Sequence, residues 1–147
     1  MQYFVDVENQ EITPALNQLV DAANAAMSCE YAAISTASPV TLTGAQVAGT
    51  SFAVVNMTTA LAAAGTLNTP TAANWIAGWT NGQVGQTARI RIINSSSGNY
   101  AWTLTAATGV TITGTATIAQ NTWREFIVTY ATATTITLQN IGTGTFS

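Results

Sequence analysis

The sequence has no histidine, no lysine and one cysteine in 147 residues, and only three arginines and six acids. Each shortage closes a class of chemistry. Without His, the commonest general base and the commonest metal ligand are missing. Without Lys there is no Schiff-base nucleophile. The single thiol, Cys29, builds neither an intrachain disulfide nor a thiolate metal site. Its place at the end of an apolar helical face reads as a small buried hydrophobe. The cations Arg89, Arg91 and Arg124 are too few for the clustered basic footprint that nucleic-acid backbones require. The longest aliphatic run, Ala60 to Ala64, is far short of the about 20 residues of a membrane helix. The opening Met1–Glu8 has neither the basic region nor the apolar run of a secretory leader. That reading implies synthesis and folding in a cytoplasm.

What is present is apolar and uncharged. Apolar residues make up 48% of the chain, which excludes disorder by composition. Charged residues make up 6%, against about 25% in an average domain. Solubility therefore rests on Thr, Ser, Asn and Gln. Thr dominates, and its branched Cβ suits a pleated strand. The charges are also unevenly placed. Residues 1–40 hold Asp6, Glu8, Glu11, Asp21 and Glu30 with no base, a net of −5. Residues 41–147 hold three Arg and Glu125, a net of +2. The pattern is an acidic arm on a nearly neutral body.

Hydrophobic spacing divides the chain at about residue 30, into an arm and helix over 1–30 and a β-rich body over 31–147. Tyr3, Val5 and Val7 alternate with Phe4, Asp6 and Glu8, as in an extended strand. Thr13-Pro14 then supplies a capping hydroxyl and a first-turn proline. Leu16, Leu19, Val20, Ala23 and Met27 share one face of an amphipathic helix over 14–28. That face must pack on the body or on a neighbouring chain. Strands follow at 30–34, 40–43 and 51–56. Thr69-Pro70 repeats the helix signal, with Ala72, Ile76 and Trp79 on one side of a short helix that ends at Asn81-Gly82. Ala88, Ile90 and Ile92 alternate with Arg89 and Arg91. With Tyr100, Trp102 and Leu104 they read as a β-hairpin. Gly109 and Gly114 bracket a strand containing Val110 and Ile112. Residues 123–130 and 134–140 read as a second hairpin with Ile136 and Leu138 inward. No fixed-period repeat is evident. The fold class is mainly β: an antiparallel β-sandwich, jelly-roll-like body or small barrel, with the arm and one amphipathic helix.

Candidate sites for chemistry are sparse. Asp6-Val7-Glu8 lacks the alternating ligand spacing of a calcium loop, so a partner-facing acidic arm fits it better than a metal or glycosidase pair. Glu125 beside Arg124 reads as a surface ion pair. Gly78, Gly82 and Gly85 lack the strand–loop–helix context of a phosphate cradle and read as turns. Trp75 and Trp79, four apart, suit either a sugar-stacking platform or, more simply, a core. The inventory points to a protein that is not an enzyme and needs no cofactor or metal.

Residues 41–147 resemble a module of structural proteins in tailed bacteriophages, found in capsid decoration (cement) proteins and in head or tail fibres. The resemblance is carried by Leu42-Thr43-Gly44, Leu67-Asn68-Thr69-Pro70-Thr71-Ala72-Ala73, Val84-Gly85 and Arg91-Ile92-Ile93-Asn94-Ser95. It continues through Trp102-Thr103-Leu104-Thr105-Ala106, Gly109-Val110-Thr111-Ile112-Thr113-Gly114-Thr115, Thr117-Ile118-Ala119-Gln120-Asn121-Thr122 and Ile141-Gly142-Thr143-Gly144. It implies a β-rich virion component with no catalytic role and leaves its place on the virion open; the reading adopted is a decoration protein on the capsid surface. The implied partners are the major capsid protein and further copies of itself, as a homotrimer, with no nucleic acid and no membrane. Tyr3, Phe4, Val5, Asp6, Glu8, Glu11, Leu16, Leu19 and Val20 are the expected partner-binding residues. The alternative is a head or tail fibre module that binds host glycans through Trp75, Trp79 or Tyr100. A cellular carbohydrate-binding module is a more distant third reading.

The purified chain is expected to turn over no polysaccharide, peptidoglycan or ester. Hydrolysis that vanishes in Glu125→Gln or Asp6→Asn would overturn that expectation.

Overall fold

Among the described residues the alternation of β-branched and polar residues becomes ten strands, and the chain deals them out between two sheets. The computed structural model describes residues 15–21, 23 and 29–147. Residues 15–21 are helical (α1). Then come β1 (Cys29–Ile34), β2 (Val40–Thr41), α2 (Gly44–Val47), β3 (Phe52–Met57), β4 (Gly65–Asn68), α3 (Ala72–Gly78) and β5 (Thr87–Asn94). They are followed by β6 (Trp102–Thr105), β7 (Val110–Thr113), β8 (Thr117–Ile118), β9 (Thr122–Thr132) and β10 (Thr135–Thr145). One sheet has six strands in the order β1-β3-β5-β9-β10-β7, the other four in the order β2-β4-β6-β8.

The mainly β, sandwich-like class holds, and neither sheet closes into a barrel. The strand sense is mixed rather than wholly antiparallel. β1, β3 and β5 run parallel, as do β2, β4 and β6, while β9 is antiparallel to both β5 and β10. Parallel neighbours need a long return connection. Here each return passes through the opposite sheet, so the chain winds around its own core. Successive turns are unequal. Cys29 pairs with Phe52, 23 residues on, and Phe52 with Arg89, 37 residues on. That inequality hides the winding from any search for a fixed period.

The expected hairpin of 88–92 with 100–104 is not formed. β5 pairs with β3 and β9, whereas β6 lies in the other sheet between β4 and β8. The connection between them is anchored by a buried polar group. Asn94 donates from Nδ2 to the carbonyls of Tyr100 and Ile118, each at 3.0 Å. Its Oδ1 accepts from the Ser96 amide at 3.2 Å and from the Ser96 hydroxyl. The second expected hairpin is present: β9 and β10 pair antiparallel, with Ile136 and Leu138 buried.

A single core joins both sheets. Val55, Ile90, Ile92, Phe126 and Val128 from the larger sheet meet Leu67, Trp102, Leu104 and Ile118 from the smaller. α3 adds Ala72 and Trp75, so the inward side of this helix includes Trp75 beside the expected Ala72, Ile76 and Trp79. Its cap is Thr71, whose hydroxyl accepts from the Asn74 amide, and not Thr69. Thr69 is buried and accepts from the Ala107 amide at 3.0 Å. The expected strand at 40–43 stops at Thr41, because Thr43 begins α2 by donating its amide to Gln46 Oε1 at 2.8 Å. Gly44 is required there, since a Cβ would strike the Asn74 carbonyl of α3. Cys29 is exposed at the start of edge strand β1 and is not a buried hydrophobe.

Replacing Asn94 by Ala removes its hydrogen bonds to the buried Ile118 carbonyl, to the part-buried Tyr100 carbonyl and to the Ser96 amide and hydroxyl. Each such loss costs about 1–3 kcal/mol. With partial relaxation, urea denaturation of Asn94→Ala should show a loss of roughly 2–4 kcal/mol at an unchanged m-value.

Candidate functional site

Side chains alternate across a strand, so the larger sheet has a second face turned away from the core. Adjacent registers place Tyr31, Val54, Arg91, Glu125 and Gly142 in one row across β1, β3, β5, β9 and β10. The next row holds Ala33, Asn56, Ile93, Trp123 and Gly144. On the other side lies a row of Cys29, Phe52, Arg89, Ile127 and Gln139. An outward sheet face is commonly polar. This one is aromatic and aliphatic around a small charged centre. Tyr31 is 60% exposed, and Phe52, Val54, Ile93, Trp123 and Ile127 are partly exposed.

The charged centre is Glu125. It is only 5% exposed although it lies on the outer face. Arg91 covers it, donating to Oε2 from Nε at 2.9 Å and from the terminal nitrogen at 2.6 Å. Arg89 reaches Oε1 at 3.1 Å. The guanidinium groups in turn lie against aromatic rings. Arg91 is 4.4 Å from the Trp123 centroid and 5.5 Å from that of Phe52, and Arg89 is 5.1 Å from Phe52. These contacts are within the about 6 Å of a cation–π interaction. Trp123 is seated on glycine. A bulge at Ile141 shifts the register of β10 so that Gly142 pairs with Glu125 and Gly144 with Trp123. A Cβ at Gly144 would sit 2.6 Å from the indole. Strand glycines of this kind mark where a flat group crosses the backbone. The row is completed by polar contacts: Asn56 donates to the Tyr31 hydroxyl at 3.1 Å and accepts from the Ser95 hydroxyl at 2.6 Å.

The pairing of Glu125 with Arg124 read from the sequence is therefore corrected. Neighbours on a strand point to opposite faces. Arg124 turns to the other side and donates to the Thr117 carbonyl. The partners of Glu125 come from the adjacent strand β5. The available signal was Arg89 and Arg91 two residues apart on one strand, which puts both cations on one face. Which carboxylate would meet them depended on strand order.

Of the expected partner-binding residues, Tyr3, Phe4, Val5, Asp6, Glu8 and Glu11 lie outside the described residues. Leu16, Leu19 and Val20 are described, and they stand in solvent: Leu19 is 66% exposed, and every described position of α1 is exposed. At its described positions the apolar face of this helix is not packed on the body. Among the glycan-stacking candidates, Trp75 is buried at 1% exposure and is a core residue. Trp79 is half-buried with its ring 6.1 Å from Tyr130, and Tyr100 is exposed. The open cleft between α2 and α3, lined by Thr43, Gly44, Asn74 and Gly78 among others, has no charged lining residue. No family model, curated protein or solved structure matches the chain.

Glu125→Gln keeps the shape but removes the counter-charge from two facing guanidinium groups. The expected cost is about 1–3 kcal/mol, below the roughly 3–5 kcal/mol of a fully buried pair because both arginines reach solvent. Denaturant midpoints measured at low and high salt check this, and the deficit should shrink as salt screens the arginines.

Proposed function

We propose that this protein is a structural component that works by assembling with other chains, as a decoration protein on the outer surface of a tailed-phage capsid. The observation that carries the assembly reading is the outer face of the six-stranded sheet. Phe52-Ala53-Val54-Val55 is apolar on both sides of β3, the pattern of a strand covered on both faces. Arg, Trp and Tyr, the residues enriched at the energetic centres of interfaces, cluster on that face. At its edge, β1 carries neither Lys nor Pro, the usual guards against pairing with another chain. The exposed Leu16, Leu19 and Val20 of α1 add a second apolar surface. The capsid setting is supported by the resemblance of residues 41–147 to virion modules.

On this reading the work is mechanical. Copies bridging neighbouring capsomers add interface area to the closed shell and lower its free energy relative to the open one. The homotrimer is the assembly this reading favours, because a closed ring covers each edge once. The acidic first thirty residues steer attachment, and their apolar side chains anchor it.

Light scattering on the purified chain at micromolar concentration should give a mass near three chains. A soluble, folded monomer would overturn the assembly reading. Density for the chain on the shell of imaged particles checks the location. Leu19→Glu with Val20→Gln changes only exposed positions. It should leave the unfolding free energy within the scatter of surface substitutions, about ±0.5 kcal/mol, yet abolish co-sedimentation with stripped capsids.

A further inference from the structure

Two arginines and one carboxylate leave the outer face of the larger sheet with a net charge of +1. Arg124 and Glu30 do not alter this, because they pair in register with Ile92 and Ala53, whose side chains belong to the core face. Two such faces brought together would oppose like charges, which disfavours a symmetric face-to-face contact. The complement lies in the same sequence. Asp6, Glu8 and Glu11 occur without any base, next to Tyr3, Phe4 and Val5.

We propose that the outer face around Arg89, Phe52 and Trp123 is the docking surface for the acidic, aromatic segment 3–11 of a second copy of this chain. The inference rests on the assembly reading above and names the partner surface within it. Charge and length both fit. Six strands present five spacings of about 4.8 Å, a width of about 24 Å. Nine residues reach at most about 30 Å. Arg89 is the available cation, since its side chain is 56% exposed while it still touches Glu125. Tyr31 is 60% exposed, and the parts of Phe52 and Trp123 left uncovered by the arginines add apolar contact for aromatic anchors, which dominate binding energy while the charges orient. A second copy is favoured over the chain's own segment because α1 lies between that segment and the body. The helix is exposed at every described position, so none of those positions ties residues 3–11 to their own sheet.

The test uses the full chain. Arg89→Glu should weaken self-association about tenfold or more, as should Asp6→Lys with Glu8→Lys and Glu11→Lys. Combining both sets should restore association to within about threefold of the parent. The acid-reversal variant leaves the β body untouched, so it reports even if Arg89→Glu fails to fold. In a Cys29→Ser background, Glu8→Cys with Ile127→Cys should give covalent dimers and higher multimers under oxidation. Cross-linking only within one chain overturns the second-copy assignment. An oligomer indifferent to both charge sets overturns the docking surface while leaving the assembly reading intact. A monomer at every concentration overturns both.

Discussion

Parallel strands can be neighbours only if the chain returns to the same end of the sheet after each one. Most of this molecule's architecture follows from how that return is made. In α/β proteins a helix crosses over the sheet. Here the return is a strand of the opposite sheet, so β1, β3 and β5 are laid down in one layer while β2, β4 and β6 are laid down in the other. Each turn closes part of the core as it forms. Every crossing also drags backbone polar groups through or around an apolar interior, where an unpaired amide or carbonyl is expensive. Asn94 answers that at the crossing from β5 to β6, by donating to one carbonyl within the connection and to another on β8. β9 and β10 then finish the larger sheet as an ordinary antiparallel hairpin, which needs no crossing.

The winding also explains the two faces of the larger sheet. One face is sealed by the smaller sheet with α2 and α3. The other has no layer of its own among the described residues, yet Phe52, Val54, Ile93, Trp123 and Ile127 populate it. A lone carboxylate on such a face would be poorly solvated. Glu125 is tolerated because two guanidinium groups satisfy its oxygens and aromatic rings satisfy the guanidinium faces. Trp123 lies flat because β10 offers it glycine instead of side chains, a device repeated in the smaller sheet where Trp102 lies across Gly65.

Much of the fold was legible as local pattern. Alternation over residues 88–92, 110–113 and 123–140 announced β5, β7, β9 and β10, and a period of two demanded that Ile136 and Leu138 face inward. Two short elements that begin with glycine were not legible. β4 is four residues beginning with glycine, and α2 is four residues beginning with glycine, so neither carries enough periodicity to register. Both exist because tertiary neighbours hold them: Trp102 covers Gly65, and Asn74 seats Gly44. The helical turns at 15–21 were readable from Leu16, Leu19 and Val20, but the exposure of those side chains was not. The same holds for Trp75 and Trp79, whose spacing of four fits a platform and a core equally well until burial decides.

The amino-acid sequence by itself determined the class of the protein. A chain with no His or Lys, a 6% charged fraction and Thr-rich alternation is committed to β-structure. Its only late carboxylate, Glu125, must find its counter-ions among three arginines. Those are properties of residue type and spacing, and they survive any arrangement of strands. Only the tertiary structure decided which strands became neighbours. That choice took β5 and β6 into different sheets, brought Arg89 and Arg91 to Glu125 in place of Arg124, and put Trp123 over the glycines of β10. Strand pairing joins residues dozens of positions apart, and many pairings satisfy the same alternation. The one selected is the one whose crossings leave buried polar groups partnered and whose core face is continuous.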